Sequence, residues 1–386
     1  MRLLNALRTV DRAAGGPVEA VIQCARASKS LGHTFDVVSL DHADDPCVRA
    51  FPVEVAAVGP GWGQYGYASG FVPWLRENAG KYDAILVHGV WDYNCLGVWQ
   101  ALHATGKPYF VYTHGMLDPW FKRTYPLKHL KKWLYWPWAT YRALRDARGV
   151  LFTTEDERKL ARESFWLYRC RELVVHYGTS ESSGDAQNER EAFFARFPAL
   201  RKKRIILFLG RIHVKKGCDL LIQAFANAAA RDPRLQLVIA GPDQAGEQDR
   251  LENLARKLAV FNRITWTGML TGEVKWGAFR AADVFALPSH QENFGVAVAE
   301  ALACGLPVLI TDKVNVWREV LGDGAGFVAS DDVVGANALL ESWEELSELE
   351  HQKMRVNARE CFKRRFEIQR SVESLVQTLR ENGIAG

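Results

Sequence analysis

Cysteine is scarce and shows no pairing pattern: there are seven, an odd number, with no Cys-x-x-Cys. That argues against a disulfide framework or a thiolate zinc site and suits a reducing cytoplasm. No apolar run reaches the roughly 20 residues of a membrane span. Neither sign of charge dominates, and a net charge of +4 is too mild to argue for nucleic acid by itself. The full dinucleotide fingerprint Gly-x-Gly-x-x-Gly follows no candidate strand, which disfavours a nicotinamide oxidoreductase. No short repeat is evident, and no RNP-type motif supports RNA binding. The opening Met1–Arg8 is only superficially like a signal peptide, because Arg8 and Asp11-Arg12 interrupt its apolar run; a first β-strand is the better reading.

What is present is the composition of a soluble globular protein, with 386 residues, enough for two domains. Short apolar runs alternate with helical segments. In the first half they are Leu3–Leu7, Phe35–Leu40, Ala84–Val87, Tyr109–Tyr112, Val150–Phe152 and Leu173–Val175. In the second they are Ile205–Leu209, Leu235–Ala240, Ile264–Trp266, Val284–Leu287 and Val308–Ile310. This alternation predicts two parallel, doubly wound α/β sheets. After Gly217, Leu220, Leu221, Ala224, Phe225 and Ala228 form one helical stripe. The polar stretch from Gly178 to Arg190 has no apolar periodicity and reads as a linker. Two such domains imply a cleft, with ligands at the C-terminal ends of strands.

The most informative stretch runs from Gln291 to Glu300, with Glu292 and Glu300 eight positions apart. Gly295 to Ala303 reads as a helix, capped by Gly305 and stopped by Pro307. The two carboxylates then lie on the order of 10 Å apart, too far for a retaining glycosidase pair at roughly 5–5.5 Å. Between them, the N–H groups of Phe294, Gly295 and Val296 sit at a helix N-terminus, a ready anion site. Carboxylate, anion site, carboxylate matches the sugar, diphosphate and ribose of a nucleotide-sugar. Upstream, Leu207-Phe208-Leu209-Gly210-Arg211 reads as strand and turn, with Lys216 just before Gly217. Arg211 as a fork and Lys216 as a point charge can clamp a diphosphate; solvated loop charges are the alternative.

Gly-Arg-x4-Lys-Gly followed by Glu-x7-Glu resembles glycosyltransferase family 4 (glycosyl transferases group 1, retaining), of the GT-B fold. The resemblance covers nearly the whole second half. It implies two Rossmann-like domains facing a cleft: residues 1–180 binding the acceptor, 191–364 binding the nucleotide-sugar, and a C-terminal helix in 365–386 crossing back to the first domain. It further implies that Arg211 and Lys216 bind the donor diphosphate, Glu292 the donor sugar hydroxyls and Glu300 the ribose. Gly268-Met269-Leu270 resembles the region lining the base, or is a plain strand-end turn. Asp283, in Ala282–Ser289, fits the family pattern in a structural role. Asp44-Asp45 and Asp331-Asp332 read as surface, and the resemblance implies no metal requirement and no cofactor beyond the nucleotide-sugar substrate.

In the first half, Ala14-Gly15-Gly16-Pro17 follows the first strand. In the family this loop approaches the donor phosphates; a tight turn alone is the other reading. His114 ends the strand Tyr109–Tyr112 and resembles the family's active-site histidine, against the transferring sugar. His88 sits similarly and is a secondary acceptor-site candidate; a purely structural histidine is the other reading.

Residues 120–148 interleave aromatics such as Trp120, Trp133, Trp136 and Trp138 with Lys122, Arg123, Lys128, Lys131, Lys132 and others. This favours either an anionic membrane interface or tryptophans packed into the domain beneath solvated cations. The expectation is therefore a cytoplasmic retaining hexosyltransferase, peripheral on the inner membrane face. Its donor is a GDP-mannose or UDP-sugar type of nucleotide-sugar, and its acceptor a glycan or polyprenyl-diphosphate-linked chain in polysaccharide biosynthesis. Its rivals are a nucleotide-sugar epimerase of the same fold and a non-catalytic nucleotide-sugar binder.

Overall fold

A computed structural model describes residues 1–243 and 246–385; residue 386, the end of the expected C-terminal segment, lies outside the described residues. The chain divides into two compact units: Met1–Gly178 with Ile368–Gly386, and Thr179–Glu367. The first holds β1 (Arg2–Leu7), β2 (Thr34–Ser39), β3 (Val55–Ala57), β4 (Ala84–His88), β5 (Tyr109–Tyr112), β6 (Gly149–Phe152) and β7 (Glu172–Val174). The second holds β8 (Arg204–Leu209), β9 (Leu235–Ala240), β10 (Ile264–Gly268), β11 (Val284–Leu287), β12 (Val308–Thr311) and β13 (Gly326–Ala329). The sheet orders are β3-β2-β1-β4-β5-β6-β7 and β10-β9-β8-β11-β12-β13, with parallel pairing throughout.

The central strands β4, β5, β6, β11 and β12 are buried along their whole lengths. Continuous apolar runs are what a parallel sheet covered on both faces demands. In each sheet the winding reverses beside the first strand, so the loops after β1 and β4, and those after β8 and β11, diverge. Such switch points are where open α/β sheets leave a crevice for ligands.

Eleven strands coincide with the apolar runs; β3 and β13 do not. Both are edge strands of three and four residues, largely half-buried. Pairing with β2 and β12, rather than their own hydrophobicity, makes them strands.

The expected linker also ends early, because a helix spans Ala186–Arg196. Asp185 caps it, accepting from the N–H groups of Gln187 at 3.0 Å and Asn188 at 2.9 Å. Its apolar stripe was hidden because the buried position in its first turn is Glu189, which accepts from the Ser182 hydroxyl and lies 3.5 Å from Arg280 Nε.

The stripe after Gly217 is buried within the helix Cys218–Arg231. The helix Ile368–Glu381 buries Ile368, Val372, Leu375 and Leu379. Leu375 and Leu379 share a core cluster with Leu3, Phe35 and Phe110, so this helix is structurally part of the first unit. The dividing points are Gly178/Thr179 and Glu367/Ile368, so residues 365–367 of the expected terminal segment lie in the second unit.

Candidate functional site

In the second unit, the loop leaving β8 and the loop leaving β11 meet at the switch point. Gly210 and Arg211 follow β8, and a turn over Val214–Lys216 is capped by His213, whose ring accepts from Lys215 N–H at 3.1 Å. Gly217 follows at φ 65°, and a Cβ there would lie 2.0 Å from the Pro288 carbonyl oxygen. Only glycine permits this backbone turn and this approach to the β11 loop. The His290 N–H donates to the Lys215 carbonyl at 2.8 Å, stitching the loops together.

Glu292 is pinned by its own backbone. Its N–H donates to Lys313 O at 2.9 Å and its carbonyl accepts from Asn315 N–H at 3.0 Å. The Lys216 ammonium, buried, contacts the Glu292 carboxylate directly. Burial, with Lys215 and Arg211 nearby, lowers the proton affinity of Lys216; the touching Glu292 carboxylate opposes this and favours a charged pair. The residues expected to bind neighbouring parts of one ligand, its diphosphate and its donor sugar, thus hold each other, while Arg211 stands exposed on the same loop.

Beyond Glu292, Phe294 is buried with its ring 5.7 Å from that of Phe366. Gly295, at φ 76°, is the N-cap of the helix Val296–Ala303, one residue later than expected. The left-handed cap turns the chain so that the Gly295 carbonyl accepts from Val298 N–H at 2.8 Å and Ala299 N–H at 3.2 Å, which leaves the N–H groups of Val296 and Ala297 without an intrahelical acceptor at the end of this loop. Gly305 at φ 64° closes the helix. Glu300, inside it, is buried and receives the Lys275 ammonium at 2.6 Å. Lys275 escaped the sequence reading; it lies on the helix Gly272–Ala281, just after the exposed Met269. Asp283 is structural: its carboxylate accepts from Ile205 N–H at 2.7 Å.

In the first unit, the ends of β1, β4 and β5 bring another group together. Asn5 donates its amide to Asp36 O at 3.3 Å, so its Oδ1 accepts from His88 Nε2 at 3.0 Å. His88 Nδ1 is then the acceptor for His114 Nε2 at 3.0 Å. This relay fixes the His114 proton on Nε2 and leaves its Nδ1 lone pair available. Burial pushes the His114 imidazolium pKa down to about 4, and burial together with His114 drives His88 well below the usual range. Both rings are neutral at physiological pH. His88 is therefore a buried partner of His114.

His114 itself has φ 48°, rare for a side chain with a Cβ. Its neighbours explain how the turn is held. The buried Glu157 carboxylate accepts from Thr113 Oγ1 at 2.5 Å and Gly115 N at 2.6 Å. It also accepts from Thr153 N at 2.7 Å and Thr153 Oγ1 at 2.8 Å. Sequence reasoning missed Asn5 and Glu157; a lone polar residue inside the apolar run Leu3–Leu7 was the available signal for Asn5, and Glu157 had none. Gly15 and Gly16 lie after β1, where an added Cβ at either would meet nothing within 4 Å.

The acidic pairs set aside as surface are engaged locally. Asp332 caps a helix through Gly335 N at 2.7 Å, and Asp331 meets His290 Nδ1 at 2.9 Å. Asp44 pairs with Arg49 at 2.6 Å. Asp41, Asp45 and Cys47 offer ligand atoms within 4.8 Å of one another. However, Asp41 already accepts from Val10 N and Asp45 from His42 N, and burial raises the Cys47 thiol pKa. This reads as loop structure rather than a metal site.

Two α/β units of this strand order, with cations and carboxylates gathered at the second unit's switch point, define the GT-B class of fold. Residues 189–361 match the family of glycosyl transferases group 1, and residues 15–178 match the glycosyl transferase 4-like domain. The chain belongs to the group 1 glycosyltransferases. It is similar to D-inositol 3-phosphate glycosyltransferase of Rhodococcus opacus, 32% identical over 154 residues, which are 36% of this chain and 34% of the relative. That match spans about a third of the relative's length. A second relative, mannosylfructose-phosphate synthase of Agrobacterium fabrum, is 25% identical over 341 residues, 79% of this chain and 73% of that one. Among solved structures, the Anabaena protein HepE, in complex with UDP and glucose, superposes with a TM-score of 0.76 at 17% identity, covering 99% of this chain and all of that one.

Proposed function

We propose that this protein is a retaining glycosyltransferase that moves a hexosyl group from a nucleoside diphosphate to an acceptor hydroxyl. One observation carries the reading: the pairing of the buried Lys216 with the half-buried Glu292, placed beside Arg211 and the Gly295-capped helix at a switch point. The anomeric C1–O bond to the diphosphate breaks as a C1–O bond to the acceptor forms on the same face. The departing phosphate takes the acceptor's proton. Arg211, Lys216 and the N–H groups of Phe294, Gly295 and Val296, which lead into the helix, stabilise the charge growing on the diphosphate through preorganised electrostatics. When the diphosphate engages Lys216, Glu292 is released to hold donor-sugar hydroxyls. Glu300, oriented by Lys275, takes the ribose, and Met269 borders the base. His114 contacts the transferring sugar, and Gly15 and Gly16 let the phosphates approach the backbone. The cations supply the charge a metal would otherwise bring, so chelation is expected to leave turnover intact.

Of the proteins named above, one is by name a D-inositol 3-phosphate glycosyltransferase, one a mannosylfructose-phosphate synthase, and one was solved with UDP and glucose. The donor is a UDP- or GDP-sugar, and the acceptor a glycan or polyprenyl-diphosphate-linked chain in polysaccharide biosynthesis at the cytoplasmic membrane face. Among the described residues no helix is long and apolar enough to cross a membrane. Calorimetry with UDP-, GDP- and ADP-sugars tests the donor site, because a ligand that binds only the folded form raises its stability. Uptake of none of them would refute the proposal.

A further inference from the structure

The helix Pro126–Tyr135 has two faces with different fates. Its inner side is anchored to the first unit. The Tyr135 hydroxyl meets that of Tyr65 at 2.5 Å, and the Lys132 ammonium lies 4.5 Å from the Trp91 ring centroid. Trp136, directly after the helix, is fully buried, stacked on Phe165 at 4.1 Å, and donates to Leu167 O at 2.5 Å. The outer side carries Leu127, Leu130 and Leu134, which recur at i, i+3 and i+7 and so share one face. They are 79%, 55% and 61% exposed, and Trp138 and Trp166 are 69% and 68% exposed. Trp133 joins the leucines to Trp166, the two indoles being 6.2 Å apart. A groove of about 740 Å³ runs alongside, walled by Leu130, Trp133, Phe165 and Trp166, with Lys122, Arg162 and one carboxylate, Glu163, in its lining. Isolated exposed leucines need no explanation, but a contiguous apolar ridge marks a surface that meets something.

Charge identifies what it meets. Residues 119–145 contain seven Lys and Arg and no Asp or Glu. The whole chain is only +4, so the remainder is net negative and the positive charge is concentrated here. Lys128 and Lys131 are exposed beside the leucine ridge, and Lys122 and Arg123 stand on the preceding short helix. A second copy approaching through the same face would bring the exposed Lys122, Arg123, Lys128 and Lys131 against the same four cations, which disfavours self-association. An anionic bilayer satisfies both features together: cations meet lipid phosphates, indoles lie at headgroup depth, and leucines enter the acyl boundary.

We infer that the Pro126–Trp138 segment with Trp166 is a docking surface for anionic membrane. The helix lies in the plane of the interface, with Leu127, Leu130 and Leu134 inserted and the lysines on lipid phosphates. Its use rests on the lipid-linked acceptor proposed above; its physics rests on this surface alone. Of the four tryptophans in residues 120–148, Trp136 is core, Trp120 is half-buried, and Trp133 and Trp138 are presented outward.

The test is sedimentation of the full chain with phosphatidylglycerol–phosphatidylcholine vesicles at low salt, against pure phosphatidylcholine. The parent should partition onto the anionic vesicles and lose much of that binding as salt rises. The variant Leu127→Glu/Leu134→Glu should partition at least about tenfold less, because a carboxylate is strongly disfavoured in the apolar boundary. Lys128→Glu/Lys131→Glu should fall similarly on anionic vesicles. All four side chains are exposed, so the melting temperature and calorimetric nucleotide uptake should match the parent. Failure of the parent to bind, or parent-like binding of the leucine variant, overturns the inference. So does a concentration-dependent dimer that the leucine variant abolishes. If vesicle binding holds while nucleotide uptake is absent in the parent, the donor reading fails and the docking surface stands.

Discussion

Replacing Glu157 by Gln removes one oxygen from a buried group that accepts four hydrogen bonds. Each carboxylate oxygen serves one backbone N–H and one threonine hydroxyl. Whichever oxygen becomes NH2, the hydroxyl facing it can rotate to accept, but the backbone N–H of Gly115 or Thr153 cannot. One buried N–H is then left facing a donor, at a cost of about 1–3 kcal/mol, and the surviving bonds lose their charge assistance, roughly another 1 kcal/mol together. The expected destabilisation is about 2–4 kcal/mol. Because the chain has two units, it should appear as an earlier loss of the first unit in a urea titration followed by near-UV circular dichroism, rather than as a uniform shift. The left-handed turn at His114, flanked on both sides by residues that Glu157 holds, costs on the order of 1–3 kcal/mol and should relax. Turnover should then fall by at least about tenfold, while calorimetric nucleotide affinity, governed by the second unit, stays near the parent's. Stability of Glu157→Gln within about 0.5 kcal/mol of the parent would show that the carboxylate is not the clamp described.

Glu292→Ala should leave the buried Lys216 ammonium without its counterion, destabilising the second unit by roughly 3–5 kcal/mol. Lys216→Ala and Glu292→Ala should each lower turnover by orders of magnitude, and the double variant should lose less stability than the sum of the two; strict additivity in a double-mutant cycle would refute the pairing. Gly217→Ala places a methyl group against the Pro288 carbonyl and strains a left-handed residue, so roughly 2–5 kcal/mol of stability should go, together with nucleotide uptake by calorimetry; a parent-like melting temperature would contradict that close approach. The neutral histidines make a pH prediction. His114 has its pKa depressed from 6.5 to about 4, so the unfolded chain takes up its proton first as pH falls. Its contribution to stability is full above the ordinary histidine range and declines from there toward the depressed value, with His88 extending the loss to lower pH. Each proton contributes a slope of at most about 1.4 kcal/mol per pH unit, and His114→Asn should flatten the profile in denaturant titrations across that range.

Much of this molecule was legible in its residues. Apolar runs buried on both faces announce central parallel strands whatever their neighbours, so β1, β4, β5, β8, β11 and β12 could be read directly. Arg211, Lys216, Glu292 and Glu300 stood out because loop cations and helix-start carboxylates in fixed order are chemically unusual and local. Edge strands β3 and β13 were silent, since three or four small residues become a strand only through a partner's hydrogen bonds. The helix Ala186–Arg196 was masked because a charged side chain occupies its inward face.

The one-dimensional pattern therefore settled the fold class, the order of the elements and the charged groups at the ends of β8 and β11, because periodicity and turn chemistry act over a few residues. Folding alone decided which groups touch: that Lys216 closes on Glu292, that Lys275 answers Glu300, that Asn5 and His88 set the His114 tautomer, and that Glu157 holds its turn. The same holds for the four tryptophans from residue 120 to 148, of which one is interior, one half-buried and two face outward. These pairings join residues distant in the chain, and their energies depend on burial and on angstrom-scale approach, which no spacing along the sequence encodes.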